Sequence, residues 1–268
     1  MSHKYRIIRM AILAFLLLTR CEEQSDIAFQ LSQRFMVADC IITNEFKNHE
    51  LKLYWSNQTM NGKPEGIEGA VSFLTDGIHS VFFKEDSMCK GLYKSELPFR
   101  ASAGLTYRLV VSVNGISDTA YAEMTGIAPF KPVEIVPDDS LFRFVYKEDD
   151  LPSMTEMYYD WSKNPDFCQS YGSCHAAETF YTLNNIDIGA EFAPEKQKIR
   201  FPRKTILLRK KFSLTEEHQR FLRSLLLETE WRGGIFDVEQ GSVPSGFQHG
   251  VKGFFAACMV LSDTTFFE

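Results

Sequence analysis

At 268 residues, 44% hydrophobic and 24% charged, the sequence is that of a globular protein with room for one large domain or two ordinary ones. Twenty-nine basic against 35 acidic residues give a formal charge of −6. That balance provides no counterion-release drive toward nucleic acid and no polybasic patch for anionic lipid.

The first twenty residues place Lys4, Arg6 and Arg9 ahead of an apolar run from Met10 to Leu18. The run is too short to cross a bilayer core of about 30 Å as a helix, and it has the proportions of a secretory signal. Its removal at residue 20 lowers Lys+Arg from 29 to 25 against 35 acids, leaving a mature charge of −10. Leu18-Thr19-Arg20-Cys21 resembles a bacterial lipobox, with Arg20 departing from the small residue usual before the cysteine. Cys21 is therefore expected to be the lipidated first residue, held in the membrane by about 0.8 kcal/mol per buried methylene. A free or disulfide-bonded Cys21 is the alternative. Residues 21–33, with Glu22, Glu23 and Asp26, read as an acidic tether, a feature associated with cell-surface display in lipoproteins of the Bacteroidetes type.

From 34 to 127, short β-rich segments alternate with turn signals. Strands are expected at Phe35–Thr43, Glu50–Ser56, Gly69–Leu74, His79–Phe83, Gly91–Ser95, Thr106–Val113 and Thr119–Thr125. Asp76-Gly77 and Asn114-Gly115, flanked by apolar alternation, are hairpin signals. Seven strands in about a hundred residues predict an immunoglobulin-like β-sandwich. Residues 128–139 hold three prolines and are expected to be a linker.

A β-rich C-terminal domain is expected over 140–268. Its strand candidates are 140–147, 155–162, 178–186 and 204–212, with an apolar run at 250–262 that reads as a buried strand. One amphipathic helix is predicted over about 213–231, started by a Ser213/Glu216 capping box and carrying Leu214, Phe221, Leu222, Leu225 and Leu226. In an oxidising compartment Cys168 and Cys174, six residues apart with Gly172 and Ser173 between them, are expected to form a local disulfide. Cys40 and Cys258 lie in apolar runs and read as buried thiols.

No catalytic motif of fixed spacing is found. Cys168, Cys174, His175 and Glu178 have the types of a zinc site, but the disulfide competes for both thiols, so no metal is expected. Asp138/Asp139 and Glu148/Asp149/Asp150 read as charged turns, and His218, beside Glu216 and Glu217, as a solvated position. Asp-(Ser/Thr)-apolar triplets at Ser87, Thr119, Ser140 and Thr264 resemble O-glycosylation sites of Bacteroidetes. Trp55, Tyr158, Tyr159, Trp161 and Trp231 are candidate stacking platforms for a sugar, with core packing as the other use.

The order of the lipobox, DCIITN, IEGAVSFLTDG, GLYKS, GLTYRLVVSVNG, RKKFSLTEEHQRFLRSLL and GVKGFFAA resembles DUF4249, a family of Bacteroidetes lipoproteins of unknown function. Its most specific pieces here are Gly69-Ala70-Val71 with Asp76-Gly77, Gly104-x-Thr106-Tyr107, Phe212-Ser213-Leu214 and Gly253-Phe254-Phe255. The resemblance implies an outer-membrane lipoprotein working beside a TonB-dependent receptor, and it implies no catalytic residues. The functional expectation is a non-enzymatic, lipid-anchored accessory protein. A surface glycan-binding protein or hydrolase, and an adhesion module, are the alternatives.

Overall fold

The computed structural model describes residues 34–57, 62–168, 173–185, 188–194, 197–233 and 243–268. The expected signal, Cys21 and the tether lie outside these residues. The elements in chain order are β1 (Met36–Thr43), β2 (Glu50–Trp55), β3 (Glu65–Gly66), β4 (Val71–Thr75), β5 (Ser80–Glu85), β6 (Leu92–Ser95), β7 (Thr106–Val113) and β8 (Ile116–Thr125). They continue with β9 (Ile135–Asp138), β10 (Leu141–Phe144), β11 (Ser153–Asp160), β12 (His175–Thr182), α1 (Ile188–Glu191), β13 (Thr205–Ser213), α2 (Glu216–Glu228), β14 (Lys252–Cys258) and β15 (Val260–Phe267). The protein is mainly β, and all seven strands expected before residue 127 are present.

Their pairing differs from the expected immunoglobulin-like sandwich. The ladder runs β1-β14-β8-β7-β4-β5-β6-β2, and β2 pairs back onto β1, so eight strands close into one barrel-like ring. Period-two alternation supplies its core. Ala38, Cys40 and Ile42 of β1 and Tyr107, Leu109, Val111 and Val113 of β7 all point inward and are buried. The closing strand comes from the far end of the chain: β14 runs parallel to β1 from Val37↔Lys252 to Thr43↔Cys258. Pairing so remote in sequence leaves no local signal, which is why the ring was not legible.

The continuous apolar run of β14 has a physical reason, because both of its faces are covered. Phe255 and Ala257 enter the barrel core, whereas Ala256 and Cys258 pack with Phe212, Val260 and the partly buried Phe254 outside it. Gly253 sits at φ +107°, and a Cβ there would lie 2.1 Å from the Ala38 carbonyl oxygen. Only glycine lets the two strands approach this closely.

Between β8 and β14 the ladder is short, with only Ala257↔Met124 and Cys258↔Thr125 paired. Buried Asp118 fills the remaining gap. Its carboxylate accepts backbone N–H bonds from Thr119, Gln248, His249 and Val251 at 2.6–3.0 Å. Burial pushes its pKa up, but these donors prevail and hold it below the usual carboxylate value.

A second sheet, β12-β11-β13-β15, continues from the first through Met259, the single residue between β14 and β15. The apolar run at 250–262 is thus two strands serving two sheets. The junction is tied by side chains that stand in for ladder bonds. Asn44 accepts from Val260 N (2.7 Å) and donates to Val260 O (3.3 Å), and Ser213 Oγ accepts from Met259 N (2.9 Å). Ser213 is consequently the end of β13, and the cap of α2 is Thr215, whose hydroxyl accepts from His218 N.

The proline segment expected as linker is partly ordered: Ile135–Asp138 is β9, paired with β10. Upstream of it, Lys211 Nζ donates to Pro129 O (3.0 Å) and Arg209 to Lys131 O (2.9 Å), with Phe130 beneath both cations. The first sheet thus draws strands from both sides of residues 128–139. His218 is also unlike its expected solvated state. It is 4% exposed, tilted against the Phe254 ring, with Nδ1 3.6 Å from Cys258 Sγ.

Candidate functional site

Residues with chemical potential gather in three places. Two are buried. Lys211, fully inaccessible, donates to Asp149 Oδ1 (2.7 Å), whose other oxygen accepts from Ser153 Oγ (2.6 Å); Tyr146 and Thr182 complete the network. Lysine beside serine is a known catalytic pairing. Here the network is packed under Phe130 and the cavity beside it is only about 20 Å³, smaller than the space a substrate needs. The Cys258–His218 pair is buried too: burial raises the thiol to about 12 and lowers the imidazole to about 4. Both stay neutral near pH 7, the opposite of an activated thiolate.

The third place is open. Where β11 ends, Trp161 lines a cleft of about 760 Å³ together with Asp138, Ala176, Gln197, Lys198, Ile199 and Arg200. The disulfide joining Cys168 and Cys174, with Cα atoms 4.9 Å apart, closes the loop that holds the indole. Trp161 donates from its backbone to Cys174 O and from Nε1 to Ser173 O, both at 2.9 Å. One bond holds the ring and the other the backbone, and both acceptors lie at the Cys174 end of the disulfide. Across the cleft Arg200 bridges β9 and its turn, with Nε 3.1 Å from Asp138 and Nη1 3.3 Å from Asp139.

Beside the cleft, Asp160 accepts from Ser162 N (2.8 Å) and lies 3.5 Å from His175 Nδ1. Bonds from Ser162, with His175 and Lys163 nearby, lower its pKa. Of the zinc-type residues, both cysteines are consumed in the disulfide and Glu178 accepts from the Tyr159 hydroxyl. Among the described residues no cluster of three His, Cys, Asp or Glu side chains has metal-binding geometry.

The proposed stacking residues separate by position. Tyr159 is core, wedged against Phe201. Tyr158 stacks on His175 on the sheet's outer face, and Trp231 follows α2 half-buried. Trp55 packs at the opposite end of the barrel under the Arg34 guanidinium (5.8 Å). Trp161 alone among these five lines the large cleft. The acids Asp138 and Asp139, expected to form only a charged turn, hold Arg200 in its wall. Gln197, Lys198 and Arg200 carried no sequence signal, because the wall is assembled from four separate segments.

Of the triplet sites, Ser87 and Ser140 lie exposed in turns, Thr264 is exposed on β15, and Thr119 is half-buried in β8. Cys40 and Cys258 are buried and Cys89 is exposed. Among the described residues no helix is long and apolar enough to cross a membrane.

A family model described as "Domain of unknown function (DUF4249)" matches residues 22–264. No curated protein matches the chain.

Proposed function

The chain belongs to the DUF4249 family, and from that premise we propose a non-enzymatic, lipid-anchored protein of the cell envelope that works as a binding accessory to an outer-membrane receptor of the TonB-dependent type. One geometric observation carries the reading. Arg34, just ahead of β1, lies beside Trp55 and near the start of β14, at one end of the barrel. The second sheet leaves from the other end, where Thr43, Cys258 and Met259 meet.

An acylated Cys21 would be 13 residues upstream of Arg34. Fully extended, that tether reaches at most about 45 Å. It would attach lipid at the Arg34 end of the body, the end opposite the Trp161 cleft. From Lys252 to Phe267 the strand path runs roughly 50 Å at 3.3 Å per residue. A path of that length separates the Trp161 cleft from the Arg34 end, which supports the reading of a body that presents a surface away from its anchor. The acidic mature charge of −10 disfavours a second, electrostatic contact with anionic lipid.

Affinity purification of the tagged protein from detergent-solubilised outer membranes is the test. Co-recovery of a TonB-dependent receptor in stoichiometric amount is the expected outcome. Repeated recovery of the protein without any receptor would refute the accessory role.

A further inference from the structure

We infer that the Trp161 cleft is a binding site for a neutral, polyhydroxylated ligand, that is, a glycan chain. Sugar rings present an apolar C–H face and an edge of hydroxyls that both donate and accept. The cleft offers the complement of each. Trp161, with Ala176 and Ile199, supplies the apolar part of the lining, partly buried against the second core. Around it, Asp138 accepts, Lys198 and Arg200 donate, and Gln197 does both.

Charge selects against anionic ligands. The guanidinium of Arg200 is compensated by Asp138 and by Asp139. A guanidinium already held by two carboxylates is a weak attractor for an anionic ligand. Rigidity favours binding as well. The indole is held at Nε1 by Ser173 O and its backbone by Cys174 O, and Arg200 is fixed by two carboxylates. Little side-chain entropy then remains to be lost when a ligand settles. The cleft between α2 and residues 244–246, about 380 Å³, is lined by Arg220, itself paired with Glu217 at 3.3 Å, and has no Trp side chain in its wall among the described residues.

The full-length protein in detergent would be applied to an array of neutral hexose, pentose and N-acetylhexosamine oligosaccharides, with heparin hexasaccharide as the anionic comparison. Binding to at least one neutral class is expected, with Trp161→Ala weakening it tenfold or more at an unchanged melting temperature. Should that variant fail to fold, Gln197→Ala and Arg200→Ala at the exposed rim should each weaken binding at least threefold. Binding to no neutral probe, binding to heparin alone, or affinity unchanged in the variants would overturn the assignment. Receptor recovery is read independently, so failure here is distinct from failure of the accessory role.

Discussion

At the scale of single residues, burial decides which groups can act and which only hold. Asp118 has four backbone donors and no solvent, so it acts as a plug in the barrel wall. Asp118→Ala takes this acceptor from all four donors, of which Gln248 N keeps Thr119 O at 3.2 Å, and should cost about 3 kcal/mol or more in denaturant unfolding. Asp118→Asn should cost less, because an amide oxygen still accepts. The two buried histidines set the acid limit. Burial lowers His218 and His49 to about 4, and His49 keeps a bond to Phe99 O (3.2 Å). In the unfolded chain each takes up a proton below about pH 6.5. Stability is therefore complete above 6.5 and is lost as pH falls toward 4, by on the order of 3 kcal/mol per histidine. Unfolding midpoints measured from pH 7 to 4.5 should fall steeply in wild type and less steeply in His218→Asn. Lys211 and Asp149 form a pair of the kind whose separation is costly: Asp149→Ala strands a buried ammonium and should destabilise by about 3–5 kcal/mol. The double change to Lys211→Met and Asp149→Leu should recover most of that loss.

Among the elements, legibility followed the range of the interaction. β7 is written in its own alternation, TYRLVVSV, and its neighbours sit beside it through Asn114-Gly115. Hence the strands before residue 127 were readable. β9 was not, because Pro137 argues against a strand; it is tolerated there because β9 pairs on one side only, with β10. The helix was readable but its start was not. Ser213 met the pattern of a cap while the Met259 amide claimed its hydroxyl. Nothing local marks β14 as the strand that closes the ring, though Gly253 is a trace of it. Gly253→Ala should prevent β1 and β14 from pairing, and a loss of cooperative unfolding on calorimetry is expected. The cleft was legible only through Trp161 and the cysteine pair. The Cys168–Cys174 link closes a loop of about seven residues and should contribute about 2 kcal/mol, so Cys168→Ser with Cys174→Ser should lower the unfolding free energy by that amount.

For the molecule as a whole, the C-terminal strands make two sheets depend on one another. β14 completes the barrel and β15 edges the second sheet, with one residue between them. The same arrangement orders the protein along one path, from Arg34 through the barrel and the Asn44–Val260 junction to Trp161. On the proposed reading, an anchor upstream of Arg34 and a recognition cleft lie at opposite ends of that path. The accessory role and the orientation of the cleft both require acyl chains on Cys21. Metabolic labelling with radioactive palmitate, followed by membrane fractionation, measures this directly. Wild type should carry label and sediment with membranes, and Cys21→Ala should be unlabelled and released. An unlabelled wild-type protein in the soluble fraction would contradict the account.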